Sequence, residues 1–367
     1  MNAAELIDKG LERAMAFAST THPMRSDQSV QSDNAYTDRL KSRGISGQST
    51  AEHGSLGSLA DCEPSSSRAT RETTSKNDPV GVRSNAGKCP STLADAIRYA
   101  VFSGEARVRP KLCLAVAAAS GGESAGERAV GAGIALELLH CASLVHDDLP
   151  AFDDADVRRG APSVHCAFSE PIAILAGDAL IVMAFDTIAR EYRSSPELLA
   201  QVTRIVAAAT GPPTGIIAGQ AWESEPQIDL RAYHRAKTGA LFVAACEAGA
   251  VSAGADPAPW RLLGQRLGEA YQVADDIRDV VLPTSLLGKP SGADERHQRP
   301  TSVRFFGLQG AVEHFAALID DALDAVPESQ GAAELRSRVV AQADRLMSHV
   351  VNRNGDSADD SGHARRA

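Results

Sequence analysis

Residues 146–156 read HDDLPAFDDAD, and five of these eleven positions are aspartate with no lysine or arginine among them. Carboxylates this close repel one another, so keeping them together calls for a cation to share. Hard oxygen ligands in this number suit Mg2+, which takes one or two carboxylates and fills its shell with water and phosphate oxygens. A transition metal would want histidine or cysteine in the set, and His140 and His146 are not at convincing ligand spacing. A lone Asp-Asp pair reads most simply as a solvated helix end, but a second cluster, QVADDIRD, occupies 272–279. At about 100° per residue, Asp275 and Asp279 lie about 40° apart on one helix face, with Gln272 a turn earlier on the same side. In the first cluster Asp147 and Asp153 would face nearly opposite ways on an unbroken helix. Pro150 disfavours helix at Leu149, so the helix ends or bulges there and the extra residues loop out. His140 shares the helix face leading to Asp147.

A metal bridge between an acidic protein and an anionic substrate also needs cations and donors. Arg158 and Arg159 follow the first cluster, and Arg107 and Arg109 precede a helix. Guanidinium forks match phosphate geometry, although an isolated arginine is usually a surface residue. Lys237 and Thr238, in KTG, follow Tyr233-His234; the lysine can hold a phosphate, and the glycine can expose a carbonyl to a ligand. Lys289, in LGKP, and Gln220, in AGQAWESE, are weaker candidates, the first competing with an ordinary loop lysine and the second with a packing helix.

The elements that must position these groups are helical. The 367 residues are 43% hydrophobic but only 4% aromatic, Ala- and Leu-rich segments dominate, and alternating strand patterns are scarce, so the expected class is all-α. Residues 3–17 form an amphipathic helix with Leu6, Leu11 and Met15 on one stripe. Helices are expected at 90–102, with Ser91 or Thr92 as cap, then 110–119, 127–148, 170–192, 196–209, 229–253, 257–282, 308–325 and 331–350. Residues 1–18 are read as an N-terminal helix, 19–89 as a Ser-rich insertion too poor in large apolar residues to order itself, 90–350 as the main domain and 351–367 as a frayed polar tail. The charge of −10 and the absence of a dense basic run exclude a nucleic-acid footprint. No run of 18 apolar residues and no basic leader appears, so a cytoplasmic protein without stable membrane insertion is expected. The six scattered cysteines form no CxxC pair and read as reduced and mostly buried.

LVHDDLPAFDDADVRRG, KTGALF and YQVADDIRD, in this order and spacing, resemble the two aspartate-rich motifs and intervening KTG of the trans-isoprenyl diphosphate synthases, over about residues 90–325. CASLVHDDLPAFD, AGQAWESE and YHRAKTGALF are most similar to the geranylgeranyl-forming branch of bacterial carotenoid and bacteriochlorophyll pathways. The resemblance implies an isoprenoid-synthase-type helical bundle around a central apolar cavity, usually homodimeric. It also implies Mg2+-dependent condensation of isopentenyl diphosphate with dimethylallyl, geranyl or farnesyl diphosphate. Residue by residue, it puts Asp147, Asp148, Asp153, Asp275 and Asp279 on Mg2+ and Arg158, Lys237 and Lys289 on the allylic diphosphate. Arg107, Arg109, His140 and Arg159 would contact isopentenyl diphosphate, and Thr238 and Gln272 would flank the carbocation. The product would grow down the helix ending in Asp147, where related C15 formers carry an aromatic five residues before that aspartate. Here Ala142, followed by Ser143, leaves room for C20, with Leu138 or Leu139 as the floor.

The sequence also departs from the family pattern. Ala106 stands where a lysine is usual, Ala155 interrupts the run of aspartates, Ala293 and Arg299 replace common lysines, and the segment 19–88 has no counterpart in the pattern. Alternative readings are a synthase stopping at C10 or C15, one running past C20, or a non-catalytic partner subunit; five intact aspartates argue against the last.

Overall fold

A computed structural model describes residues 2–18, 89–104, 106–121, 123–282 and 301–359; Lys289, Ala293, Arg299 and the segment 19–88 lie outside them. The described chain opens with α1 (Ala3–Ala18), α2 (Ser91–Phe102), α3 (Val108–Gly121), α4 (Glu123–Arg128) and α5 (Val130–Asp147). A two-residue antiparallel hairpin, β1 (Val157–Arg158) and β2 (Ala161–Pro162), pairs Val157 with Pro162 and Arg158 with Ala161. Then come α6 (Val164–Ala167), α7 (Glu170–Glu191), α8 (Pro196–Thr210), α9 (Ile216–Ala221) and α10 (Leu230–His234). A π-helical turn at Arg235–Gly239 leads into α11 (Ala240–Ser252), followed by α12 (Arg261–Val281), α13 (Ser302–Asp324) and α14 (Ala332–Asp359). The all-α expectation holds, with the hairpin as the only strands among the described residues.

The arrangement follows from which helices are apolar all round. In α11, ALFVAACEAGAVS, every residue from Leu241 to Ser252 except Val243 is buried, and α3, α12, α8 and α5 pack around it. Its one acid, Glu247, accepts a hydrogen bond from Arg261 Nε at 2.6 Å. Helix α5 is equally enclosed and makes its most extensive contact with α7, so the helix that ends in Asp147 is wedged in the main core. A second apolar cluster, with Ile277, Phe315, Leu318 and Met347, joins α12, α13 and α14. Helix α7 has the length and composition to cross a membrane, yet 44% of its most apolar window is buried inside the protein.

Several boundaries differ from the expectations, each for a local reason. Neither Ser91 nor Thr92 caps α2: Pro90 precedes the first turn, and no side-chain cap bond forms. The single helix expected over 127–148 is two, separated at Ala129. Helix α13 starts six residues early because the Thr301 hydroxyl accepts from Arg304 N at 3.2 Å, and it kinks at Gly307, φ 73°. Helix α14 runs on to Asp359, through part of the tail expected to fray. Of the cysteines, Cys113, Cys141 and Cys246 are buried thiols as expected, with Cys113 pushed up to about 12 by burial, while Cys166 is exposed. A cleft of about 290 Å3 between α1 and α2 is lined by residues including Met15, Ala16, Cys89 and Arg98.

Candidate active site

The chain reverses direction just after α5. Asp153 N donates to the Asp147 carbonyl at 2.9 Å and Ala155 N to the Asp148 carbonyl at 3.1 Å, so the residues around Pro150 loop out and Asp153 returns beside Asp147. The six-residue spacing converges as the proline argument requires. Ligand oxygens of Asp147, Asp153 and Glu223 then lie within 4.8 Å of one another. Glu223 is not among the residues the sequence motifs single out; its signal lies in AGQAWESE, the stretch that also holds Gln220. Gln220 Nε2 donates to Asp147 Oδ1 at 2.7 Å and to Glu223 Oε2 at 3.1 Å, and the Tyr233 hydroxyl donates to Glu223 Oε1 at 2.6 Å. Lys237 Nζ bonds Glu223 Oε1 closely and lies 3.4 Å from Asp147 Oδ1.

Two glycines allow this convergence. A Cβ on Gly219 would lie 2.3 Å from Lys237 N and 2.4 Å from its Cα, so only glycine lets α9 rest on the π turn and set Gln220 beside Lys237. A Cβ on Gly268 would lie 2.6 Å from the Gly239 Cα, where α12 meets the same turn. The π turn adds one residue to the expected continuous helix over 229–253, a device common at functional sites.

Burial raises the Asp147 carboxyl above its ordinary range; Lys237 opposes this and Asp153 adds to it. Asp148 is raised for the same reason, against the pull of Arg158. Asp148 is not a member of the carboxylate trio and is held by Arg158: Arg158 Nε donates to Asp148 Oδ1 at 2.9 Å, and Nη2 bonds the same oxygen more closely. Arg158 is itself raised: desolvation, the largest single influence, would lower it, but the Asp148 bond and the charges of Asp148, Asp147 and Asp153 together outweigh it. A residue expected on the cation and one expected on the diphosphate thus bind each other. The hairpin that places them is built on Arg159 and Gly160, at φ 55° and 78°, the two left-handed positions a tight two-residue turn demands.

On α12, Asp275 is half-buried, and Arg278 Nη1 lies 3.7 Å from its Oδ1. Asp279 is also half-buried, and neither joins the trio. Asp276, 2% exposed, does something different: its Oδ2 accepts from Ser302 N at 2.7 Å and its Oδ1 from Gln272 Nε2 at 2.9 Å. Gln272 Oε1 in turn accepts from the Thr238 hydroxyl at 2.6 Å. A continuous chain of bonds therefore runs from the π turn through α12 to the start of α13.

Burial raises the Tyr271 hydroxyl; Arg109, Arg278 and Arg159 oppose the rise and Asp275 adds to it. Tyr271 also packs against Phe242, the tilted rings 5.1 Å apart, and both line a cavity of about 320 Å3 between the start of α1 and helices α3, α11, α12, α13 and α14. Arg107, expected on substrate, is instead directed inward to Glu137. His140 and Ser143 are half-buried, the Ser143 hydroxyl donating to the His140 carbonyl at 2.8 Å, and Leu138, Leu139 and Ala142 lie in the main core.

Hard carboxylate oxygens stand beside fixed ammonium and guanidinium groups inside a helical bundle, a donor set of the kind that suits a divalent cation and an anionic ligand. The chain belongs to the polyprenyl synthetase family, whose model matches residues 90–338. Among relatives, a geranylgeranyl diphosphate synthase of Cereibacter sphaeroides is 51% identical over 265 residues, 72% of this chain and 92% of the relative. The geranylgeranyl diphosphate synthase of Rhodobacter capsulatus is 45% identical over 261 residues, 71% of this chain and 90% of the relative. Among solved structures, a Helicobacter pylori geranyltransferase complexed with magnesium and isoprenyl diphosphate superposes with a TM-score of 0.62 at 29% identity, over 68% of this chain and 87% of that one.

Proposed function

We propose that this protein is a geranylgeranyl diphosphate synthase that condenses isopentenyl diphosphate with dimethylallyl, geranyl and farnesyl diphosphates up to C20. The observation that carries the reading is the carboxylate trio Asp147, Asp153 and Glu223, buttressed by Gln220 and Lys237. That donor set fits Mg2+, which when bound would stabilise the charge of the departing diphosphate. Asp147, Asp153 and Glu223, together with Asp275 and Asp279, would hold it, with Asp148 fixing Arg158.

Lys237, Arg158 and Lys289 orient the allylic diphosphate and lower the barrier to its departure. Arg109, Arg159 and His140 hold isopentenyl diphosphate. The Gln272 amide and Thr238 hydroxyl, locked together, present fixed dipoles to the carbocation, and the surrounding apolar helices keep water from it. Ala142 at the fifth position before Asp147, with Leu138 or Leu139 below, sets a depth suited to C20.

The exposed apolar side chains Ile174, Leu175 and Val182 on α7 support a homodimer formed through that helix; a monomeric mass by light scattering would remove that part of the reading. The assembly would work in the cytoplasm without membrane insertion, with 19–89 as an insertion between α1 and the synthase domain. Purified protein incubated with Mg2+, isopentenyl diphosphate and farnesyl diphosphate is expected to yield C20 product by chromatography. A C10, C15 or longer product would reassign the chain length, and no condensation product at all would sink the enzyme reading in favour of a partner subunit.

A further inference from the structure

Glu137 is 1% exposed in the middle of α5, an acid within an otherwise apolar stretch. A charge so placed requires a partner, and Arg107 Nη1 donates to its Oε1 at 2.9 Å. The same guanidinium donates through Nη2 to the Val101 carbonyl in the last turn of α2. Arg107 is 8% exposed and immediately precedes α3, and its carbonyl accepts the first helical bond there, from Lys111 N at 3.1 Å. Its backbone sits at φ 51°, a left-handed conformation that persists in a residue other than glycine only where the surroundings hold it. One side chain therefore ties α2 and α5 to the first turn of α3.

That turn carries Arg109, which is 8% exposed and lies 5.0 Å from the Phe242 ring centroid, with its Nε buried and without a hydrogen-bond partner. A guanidinium held in this way is arranged for a ligand and cannot choose its own position, because α3 fixes its backbone. We propose that the Arg107–Glu137 pair is a buried strut that positions Arg109 for the diphosphate of isopentenyl diphosphate, making both members positioning residues and Arg107 no substrate ligand. This rests on the assignment of Arg109 to isopentenyl diphosphate made above.

Steady-state kinetics of Glu137→Gln, with each substrate varied in turn, test the strut. The KM for isopentenyl diphosphate is expected to rise about tenfold while the KM for farnesyl diphosphate stays within about twofold, a split that general loosening of the fold would not produce. Because the single change leaves a buried arginine without its counter-charge, the double variant Arg107→Met/Glu137→Leu is measured alongside it; it removes both charges and is expected to fold and to show the same split. A folded variant with an unchanged KM for isopentenyl diphosphate, or with both KM values raised equally, overturns the proposal. Arg109→Gln in parallel separates the two layers. If it leaves that KM unchanged, the substrate assignment falls and the strut with it; if it raises KM while the strut variants do not, the strut alone falls.

Discussion

Replacing Asp147 by alanine removes an oxygen from the point where Gln220, Lys237 and two other carboxylates meet. Turnover is expected to drop on the order of a hundredfold to a thousandfold. The fold should not suffer, because burial already penalises this carboxylate, as its raised pKa records. A thermal melt is expected to show an unchanged or higher midpoint, the usual sign of a site kept for function at some cost to stability. Glu223→Gln keeps the shape and removes one charge from the trio, and titration with Mg2+ is expected to give a half-saturating concentration about tenfold higher. The aspartates of the first cluster were legible from residue type and spacing, and Pro150 predicted how they converge. Glu223 was not, since a single glutamate seventy-odd residues away becomes a neighbour only through tertiary packing. The inward turn of Arg107 was equally illegible: an arginine one residue from a helix start reads the same whether it faces a ligand or a buried acid.

At the scale of elements, the site depends on helices that end or deform at particular residues. Asp147 is the last residue of α5, Lys237 and Thr238 sit on the π turn, and Gln272 and Asp276 share one face of α12. The long apolar helices were legible because their periodicity is strong and their packing repeats it. The π turn was not, because apolar periodicity runs through it almost undisturbed; nor was the hairpin, whose two-residue strands are too short to show alternation. Helix α5 also carries the chain-length reading. Ala142 is buried in the core on the helix leading to Asp147, so a phenylalanine there would obstruct the proposed path of the growing chain. Product chromatography of Ala142→Phe is expected to show the dominant product shortened by one isoprene unit, to C15, with kcat for the remaining cycles within about tenfold of the parent.

For the whole molecule, the family model matches from residue 90, so α1 and the segment after it lie outside the matched range. Helix α1 is nevertheless part of the main core, with Ile7 and Leu11 fully buried. Replacing 22–87 by a short Gly/Ser linker is therefore expected to leave kcat and the KM values within about threefold, whereas deleting α1 as well should lower the melting midpoint by several degrees, roughly the effect of losing two buried aliphatic side chains. The comparison of the two melts by circular dichroism checks both.

Ala16 and Cys89 line the same cleft, so the end of α1 and the residues just before α2 lie close together. The entropic cost of joining two such neighbouring ends grows only with the logarithm of the connecting length, about 0.6 kcal/mol for each doubling. The stretch between these residues can therefore lengthen, shrink or be exchanged for a foreign domain while the helices carrying the carboxylates keep their register. The same pair of ends offers a place to graft a reporter or a tether onto a synthase without touching its chemistry.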